Sequence, residues 1–327
     1  MSEIKCPIFI ETPLIYSNKL SKLVGGDIYL KLENDQPSGA FKLRGNGYHS
    51  QKEVERGCKR LITASGGNTG MAVTRAGQVL GVPVTVFIPK STPQMVIDVL
   101  REQGAEVTVH GDNFGMANDR ALEEAKKPGC SYIHPYIHPE TWQGHSTMVD
   151  EIAKQLGQGV RPGCFIVSVG GGGLAKGVLT GIERHGWADV PVIGVETEGA
   201  DCLRKALEAG KPVELAEITS IAVTLGAKMI LTELFDELPK FNFIPHVVTD
   251  KQAVQSCVRF ADDHRILVEP SCGAALSVIY FDLLKELIPK GIKGPIVVIV
   301  CGGSGVSLTL LQKWAQQFNL DFPYKGH

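Results

Sequence analysis

The chain has 327 residues, with 33 basic and 35 acidic side chains and a formal net charge of −2. This length accommodates about two domains of ordinary size, each able to bury its own core. The near balance of charge argues against a nucleic-acid groove or an anionic membrane as the main partner and favours a small-molecule site.

The cysteines and the N-terminal residues indicate the compartment. The 8 cysteines are scattered, without a CxxC pair or metal-ligand spacing, as is typical of reduced thiols. The first residues form no apolar or Arg-rich leader, and no run approaches the roughly 18 apolar residues that span a bilayer. We therefore expect a cytoplasmic protein that has no membrane partner.

Short β-branched runs alternate with longer segments that carry apolar residues at three- and four-residue spacing. This alternation is typical of parallel sheets covered by helices. In chain order, the pattern predicts strands 28–33 and 61–63, helix 69–80, strand 84–88, helix 94–103, strand 106–109, helices 115–127 and 147–156, strands 165–169 and 192–195, helices 251–263 and 274–287, and strand 296–300.

The first chemically informative residue is Lys42, which stands among small residues after strand 28–33. Withdrawing a lysine amine from bulk water lowers its pKa and permits Schiff-base chemistry. A lone lysine in a Gly-rich turn is more often simply solvated. Lys42 is our catalytic candidate because the rest of the chain supports it; its segment reads Pro37-Ser38-Gly39-Ala40-Phe41-Lys42-Leu43-Arg44-Gly45.

Three Gly-rich turns follow strand candidates, at residues 65–70, 170–173 and 302–305. Ligands of open α/β sheets bind at the carboxyl ends of strands, so we expect these turns to converge on one site. The four glycines of residues 170–173 precede a helix-like stretch, where backbone N–H groups form a phosphate cradle.

The same glycines also fit a dinucleotide fingerprint. Gly170-x-Gly172-x-x-Ala175 has the required spacing, and Glu196 closes the next strand where a ribose-binding carboxylate would stand. An NAD-dependent oxidoreductase is therefore an alternative, although it leaves Lys42 and Cys301 without a role.

His134 and His138 have a spacing that metal ligands use on a helix. Pro135 and Pro139 interrupt the helix that would align the two imidazoles on one face. We therefore predict no zinc site from this pair.

The Lys42 segment resembles the lysine motif of the fold-type II pyridoxal-phosphate (PLP) enzymes, and further stretches match that family in the same order nearly end to end. Two linking segments resemble its serine/threonine dehydratase branch, and in particular the short L-serine dehydratases. The family motifs are Thr12-Pro13-Leu14, Ser65-Gly66-Gly67-Asn68-Thr69-Gly70, Gly170-Gly171-Gly172-Gly173-Leu174 and Val300-Cys301-Gly302-Gly303-Ser304, and the branch segments are Trp142-Gln143-Gly144-His145 and Val268-Glu269-Pro270-Ser271-Cys272-Gly273-Ala274-Ala275.

The resemblance implies an α/β fold like that of the tryptophan synthase β chain, with two open, mostly parallel twisted sheets flanked by helices. It implies a small domain at 38–138, inserted into a large PLP-binding domain formed by 1–37 and 139–327. It places the active site in the cleft between the domains and implies a homodimer.

The resemblance also assigns roles to residues. Lys42 forms the Schiff base and removes the α-proton, Asn68 binds the phenolic oxygen of PLP, and a neutral Cys301 faces the pyridine nitrogen. The carboxylate of the substrate is bound by Ser65, Gly66, Gly67, Asn68 and Thr69. The remaining expected PLP contacts are Phe41, Gly170, Gly171, Gly172, Gly173 and Leu174.

A cation site is implied as well, with Glu196 and the carbonyl oxygens of Ala200 and Leu225 as ligands. Racemases of the family carry an aspartate where Cys202 stands here. Loss of that hard ligand favours a monovalent ion such as K⁺ over Mg²⁺ or Ca²⁺.

The implied reaction is β-elimination of water from L-serine or L-threonine, which gives pyruvate or 2-oxobutanoate and ammonia. A serine racemase or another lyase of the fold is an alternative. Racemases carry a serine where Gly66 stands here, and glycine has no side chain to reprotonate the α-carbon, so we expect little racemisation. A third hypothesis is an inactive amino-acid binder that retains the cofactor.

Overall fold

The structure, a computed structural model, describes residues 8–322. Within that range the chain forms two compact units. The first unit consists of 8–11 and Gln36–Thr147, and the second unit consists of Thr12–Asp35 and 148–322.

The elements alternate between strands and helices for most of the chain. Among the described residues the strands are β1 (Leu14–Tyr16), β2 (Ile28–Leu32), β3 (Arg60–Thr63), β4 (Val84–Ile88), β5 (Glu106–Val109), β6 (Cys130–Tyr132), β7 (Cys164–Ser168), β8 (Val192–Thr197), β9 (Phe243–Val248) and β10 (Ile296–Val300). The helices are α1 (Asn18–Val24), α2 (Lys42–Glu55), α3 (Asn68–Leu80), α4 (Gln94–Glu102), α5 (Phe114–Glu124), α6 (Pro139–Leu156), α7 (Gly173–Arg184), α8 (Cys202–Ala209), α9 (Thr232–Glu237), α10 (Asp250–His264), α11 (Pro270–Tyr280), α12 (Leu284–Leu287) and α13 (Leu308–Gln317).

The first unit contains a four-stranded, wholly parallel sheet in the order β5-β4-β3-β6. Successive side chains of a strand point to opposite faces. Accordingly, Leu61 of β3 packs into one buried cluster with Val73, and Ile62 packs into a second cluster with Ala117. Burial on both faces explains the continuous apolar runs in these strands.

The second unit contains a six-stranded sheet in the order β1-β2-β10-β7-β8-β9. Only the short β1 runs antiparallel to its neighbour among these pairs. The parallel neighbours β7 and β10 are fully buried, and Ile296 pairs with Cys164. Their carboxyl ends therefore lie at the same sheet edge, where two Gly-rich turns follow them.

The predicted fold class is confirmed: two mostly parallel sheets are flanked by helices. The predicted helix 274–287 is wrong in one respect, because it is two helices separated at Asp282, whose φ is 53°. No helix was predicted directly after Phe41, since the two glycines of α2 hid its apolar pattern. The domain boundaries at 38 and 138 stay a prediction.

Helix α6 begins at Pro139, earlier than the predicted 147, because proline is tolerated in the first turn of a helix. Residues 134–138 precede the helix, which agrees with the absence of a helical His134/His138 pair. Within the described residues, none of the helices has the length and apolar character needed to cross a bilayer.

Helices α2 and α6 approach each other at two glycines. A Cβ atom on Gly144 would lie 2.4 Å from the carbonyl oxygen of Arg44 and 2.8 Å from the Cα atom of Gly45. A Cβ atom on Gly45 would lie 2.4 Å from the carbonyl oxygen of Thr141 and 2.5 Å from the His145 ring. Glycine is therefore required on both sides of this contact.

We expect Gly144→Ala to destabilise the protein by about 1–3 kcal/mol, because the clashing atoms belong to the backbone and cannot turn away. Helix propensity alone would give the opposite sign, since alanine is favoured over glycine in a helix by about 1 kcal/mol. Urea unfolding measures the difference. The control is Gly26→Ala, whose Cβ would meet only the Ile296 side chain, at 3.6 Å. A Gly144→Ala protein as stable as wild type would contradict the packing argument.

Candidate active site

Lys42 is the first residue of α2, directly after Phe41. Its Nζ atom donates a hydrogen bond to the carbonyl oxygen of Pro135 at 2.7 Å and lies 5.1 Å from the centre of the Phe41 ring. The start of a helix carries a partial positive charge, which disfavours a cation there. The amine is therefore held in a fixed position at the start of α2.

Two imidazoles lie in the electrostatic field of Lys42. Burial, and then the charge of Lys42, lowers the pKa of His134 to about 4. Burial, followed by the charges of Lys42 and Arg44, lowers the pKa of His145 well below its ordinary value. Both rings are therefore neutral at physiological pH.

His145 is fully buried, and neither ring nitrogen has a hydrogen-bond partner within residues 8–322. Its ring centre lies 4.9 Å from that of Phe41. A buried polar group without a partner calls for a water molecule or a ligand group. This orphaned imidazole beside Phe41 and Lys42 is one observation that fits a bound polar cofactor.

The second predicted segment, 65–69, joins β3 to α3 in the same unit. Gly67 precedes the helix, and Asn68 is its first residue and is 8% exposed. The Ser65 Oγ atom accepts a hydrogen bond from the Gly67 N–H group at 3.3 Å. The start of this 13-residue helix offers N–H groups that suit a carboxylate.

The third predicted segment lies in the second unit, where Gly170–Gly173 joins β7 to the 12-residue helix α7. Gly172 has a φ of 94°, a left-handed value that favours glycine. A Cβ atom on Gly170 would lie 3.0 Å from the Cα atom of Leu225, and one on Gly172 would lie 2.7 Å from Leu234. The turn therefore places backbone N–H groups at a helix start with no side chains of its own in the way, which fits a phosphate.

Cys301 directly follows β10 and is 6% exposed. A hydrogen bond with Cys272, together with burial, raises its pKa well above the ordinary value, although a hydrogen bond with Ser168 acts in the opposite direction. The thiol is therefore neutral. A neutral sulfur group suits the nitrogen of a pyridine ring, because it can exchange a hydrogen bond with it but cannot hold it protonated by charge.

Ser168, Glu269 and Cys272 contact the surroundings of Cys301, and sequence reasoning gave none of them a role there, although Glu269 and Cys272 belong to the branch segment 268–275. Ser168 is buried at the end of the apolar strand β7, and its Oγ atom donates to the carbonyl oxygen of Ser271 at 2.7 Å. A polar residue closing an apolar strand next to a Gly-rich turn was the available signal. Cys272 belongs to the branch segment 268–275, but only the packing of α11 against the sheet brings it to Cys301.

Glu269 connects three segments around Cys301. Its Oε1 atom accepts a hydrogen bond from the Gly305 N–H group at 2.7 Å, and its Oε2 atom accepts one from the Thr224 hydroxyl at 2.7 Å. Gly303 has a φ of 134°, and a Cβ atom there would lie 2.1 Å from the Glu269 Cδ atom. The turn after β10 is thus shaped around this carboxylate.

The predicted cation ligands also lie in the second unit. Glu196 is buried, and its two carboxylate oxygens accept hydrogen bonds from the N–H groups of Leu203 and Arg204 at 2.8 and 2.9 Å. Burial nevertheless raises the pKa of Glu196 to about 8. Leu225 packs on Gly170, and Ala200 bridges to Thr197 at the end of β8. The carboxylate of Glu196 is therefore bound by backbone N–H groups at the start of α8, without an ion.

The sequence matches the pyridoxal-phosphate dependent enzyme family over residues 7–302. It is 42% identical over 322 residues to the human L-serine dehydratase/L-threonine deaminase, with 96% of this chain and 97% of that protein covered. It is 40% identical over 324 residues to the L-serine dehydratase of Dictyostelium discoideum, with 95% and 92% covered. Among solved structures, a fungal L-serine ammonia-lyase from Rhizomucor miehei superposes with a TM-score of 0.90 at 33% identity, covering 95% of this chain and 99% of that one.

We expect His134 to make stability depend on pH. Its folded-state pKa of about 4 lies below the ordinary 6.5, so between these values the unfolded chain binds a proton that the folded chain does not. Stability from this group is therefore present above about pH 6.5 and is lost as the pH falls toward 4. His134→Asn keeps a side-chain acceptor for the N–H groups of Tyr136 and Ile137. Between pH 6.5 and pH 4 it should lose about 1–3 kcal/mol less stability than wild type.

Urea unfolding of the apoprotein from pH 7 to pH 4 measures this effect. The control is His110→Asn, which removes an exposed imidazole from the same unit. Parallel pH profiles for wild type and His134→Asn would show that His134 does not titrate as the structure indicates.

Proposed function

Because the chain belongs to the pyridoxal-phosphate dependent enzyme family, we propose that it eliminates water from L-serine and L-threonine, giving pyruvate or 2-oxobutanoate and ammonia. The position of Lys42 carries the proposal: its amine is fixed by the Pro135 carbonyl at the start of α2. The identity to dehydratases over nearly the whole chain supports this choice of reaction.

Each unit carries groups that fit pyridoxal phosphate. In the first unit these are the Lys42 amine, the Phe41 ring and Asn68, and in the second they are the turn Gly170–Leu174 for the phosphate and Cys301 for the ring nitrogen. When bound, the cofactor supplies an electron sink joined to the substrate's amino group. The neutral state of Cys301 implies a sink of modest strength, which suits prompt loss of a β-substituent over a long-lived carbanion.

Lys42 then acts as the base. In its neutral form, the Nζ atom would accept the proton from the α-carbon of the substrate. The hydroxyl group would leave the β-carbon as water, with its proton supplied by the phosphate group of the cofactor. The Pro135 carbonyl oxygen accepts a hydrogen bond from the protonated amine at the observed 2.7 Å and keeps it oriented. Neutral His134 and His145 add no positive charge that would oppose this proton transfer.

The start of α3 binds the carboxylate of the substrate in this proposal. The N–H groups of residues 65–69 and the partial positive charge of the helix start stabilise the anion. Gly66 lies close to three side-chain methyl groups, since a Cβ atom there would meet those of Thr92 at 3.2 Å, Val96 at 3.3 Å and Ile88 at 3.4 Å. A racemase serine at this position would be crowded, so water elimination is favoured over racemisation.

We also propose that Glu196 and the carbonyl oxygens of Ala200 and Leu225 hold a monovalent cation such as K⁺. The pKa of Glu196 is raised to about 8 because burial disfavours its negative charge, and a nearby cation would restore that charge. Cys202, which stands where racemases have aspartate, is neutral because burial raises its pKa to about 12. Cys202 therefore adds no negative charge to the proposed ligand set, which supports a single-charged ion.

A homodimer that works in the cytoplasm is proposed from the family resemblance alone. Sedimentation velocity of the holoenzyme and fractionation of the cells that produce it would test these two statements.

Lys42→Ala should abolish the visible absorbance of the bound cofactor and lower pyruvate release from L-serine about 10²–10⁴-fold, because the chain then lacks its proton acceptor. Absorbance and coupled pyruvate detection in one cuvette measure both effects. Lys52→Ala is the matched control, since Lys52 lies on the same helix and pairs with Glu55.

Each other outcome corresponds to another hypothesis. D-serine in place of pyruvate would indicate a racemase, and a cofactor spectrum without product would indicate a binder. Pyruvate release that persists in Lys42→Ala would refute the role of the lysine.

Replacing K⁺ by tetramethylammonium at constant ionic strength should lower the rate of pyruvate release about tenfold or more. Tetramethylammonium cannot be coordinated by oxygen atoms, so Glu196 and the carbonyl groups of Ala200 and Leu225 would no longer be held in place by an ion. Glu196→Gln should respond much less to the exchange. The matched control Glu198→Gln, an exposed carboxylate in the same loop, should respond as wild type does. Equal rates in both salts would contradict the cation site.

A further inference from the structure

A cluster of two histidines and a glutamate lies in the first unit, apart from every residue proposed to bind the cofactor. His49 lies on α2, His138 directly precedes α6, and Glu140 belongs to the first turn of α6. One nitrogen of each imidazole and a carboxylate oxygen of Glu140 lie within 4.8 Å of one another. This set of two imidazoles and one carboxylate is a donor set that zinc uses when it keeps a fourth position open.

The two imidazoles are stacked, with ring centres 3.7 Å apart and an angle of 8° between their planes. Their nitrogen lone pairs lie in the ring planes, so one ring must turn before both can point at a common ion. His138 can make this movement because its side chain is 36% exposed, whereas His49 is 3% exposed. The Thr141 hydroxyl lies 3.4 Å from the Nδ1 atom of His49 and can hold that ring as a second-sphere partner.

The charge of the cluster fits a dication. Glu140 supplies a negative charge and is 17% exposed at its side chain. Its Oε2 atom lies 3.8 Å from the Nδ1 atom of His138. That nitrogen accepts a hydrogen bond from the Glu140 N–H group at 3.3 Å, so an ion must either displace this bond or bind the other ring nitrogen. The partial exposure of both residues gives an ion access from solvent.

Arg56 competes for the carboxylate of Glu140, since it bonds to both oxygens. Arg56 also donates to the Oε1 atom of Glu53 at 2.8 Å. The guanidinium therefore keeps an anionic partner when Glu140 turns its Oε2 atom toward an ion, and the other oxygen of Glu140 can still face Arg56. The competing ion pair weakens the site without removing it.

We propose that His49, His138 and Glu140 bind a divalent transition-metal ion of the zinc class, with water at the fourth position. The ion joins the middle of α2, the helix that Lys42 begins, to the start of α6. The site is independent of the proposed dehydratase reaction, because none of its ligands is among the proposed cofactor or substrate contacts.

The test uses holoenzyme freed of metal by a chelator that is then removed. Titration with Co²⁺, followed by its visible difference spectrum and by equilibrium dialysis, should show one tetrahedral ion per chain that Zn²⁺ displaces. His138→Ala and Glu140→Gln should each weaken Co²⁺ binding at least about tenfold. Zn²⁺ should raise the thermal midpoint of wild type and leave that of both variants unchanged.

The control His110→Ala removes an exposed imidazole from the same unit and should bind Co²⁺ as wild type does. An unchanged cofactor spectrum and circular dichroism spectrum would establish that a variant is folded. Glu140→Gln preserves the shape of the side chain and serves if His138→Ala fails to fold. The proposal is overturned if wild type binds no stoichiometric Co²⁺, or if folded His138→Ala or Glu140→Gln retains wild-type affinity.

Discussion

Backbone contact between α2 and α6 at Gly45 and Gly144 determines where the chemical groups of the first unit lie. Because no side chain separates the helices there, the carbonyl oxygen of Arg44 comes within 2.4 Å of the place where a Cβ atom on Gly144 would be. The same approach seats the His145 ring against Gly45. Lys42, three residues before Gly45, is thereby placed relative to the residues that precede and begin α6.

The site groups share one electrostatic property: most of them are neutral. Burial lowers the pKa values of His134 and His145 and raises that of Cys301. Neutral groups exchange hydrogen bonds with a ligand without imposing fixed charge on it. In the proposed function, a charged phosphate and a charged carboxylate would instead be met by backbone N–H groups at the starts of α7 and α3. Anion binding would then be separate from the tuning of proton transfer.

The Glu269 carboxylate lies among these groups, and its hydrogen bonds give it a structural role. It accepts hydrogen bonds from Gly305 and Thr224, which belong to segments far apart in the chain. Removing one partner of a buried hydrogen-bonded charge leaves the other uncompensated. The Glu269 side chain therefore holds the turn after Cys301. The backbone of the turn can come this close to Glu269 only because residue 303 is glycine and has no Cβ atom.

The sequence by itself determined what depends on local pattern. Apolar β-branched runs identified the buried strands β4, β7 and β10, and the glycines of residues 170–173 identified a turn before a helix, because these follow from near-neighbour sterics. Helix α2 was not predicted, because Gly45 and Gly47 stand at positions of close packing and interrupt the apolar pattern of a helix.

Only the tertiary structure decided which distant residues meet. His49 lies next to His138, while the sequence offered His134 as the partner of His138 by spacing. Cys272 reaches Cys301 because α11 packs on the sheet that β10 belongs to, and the neutrality of that thiol follows from burial. Contacts of this kind depend on how whole elements pack, and pKa values depend on the resulting burial, so neither is contained in any local pattern of residues.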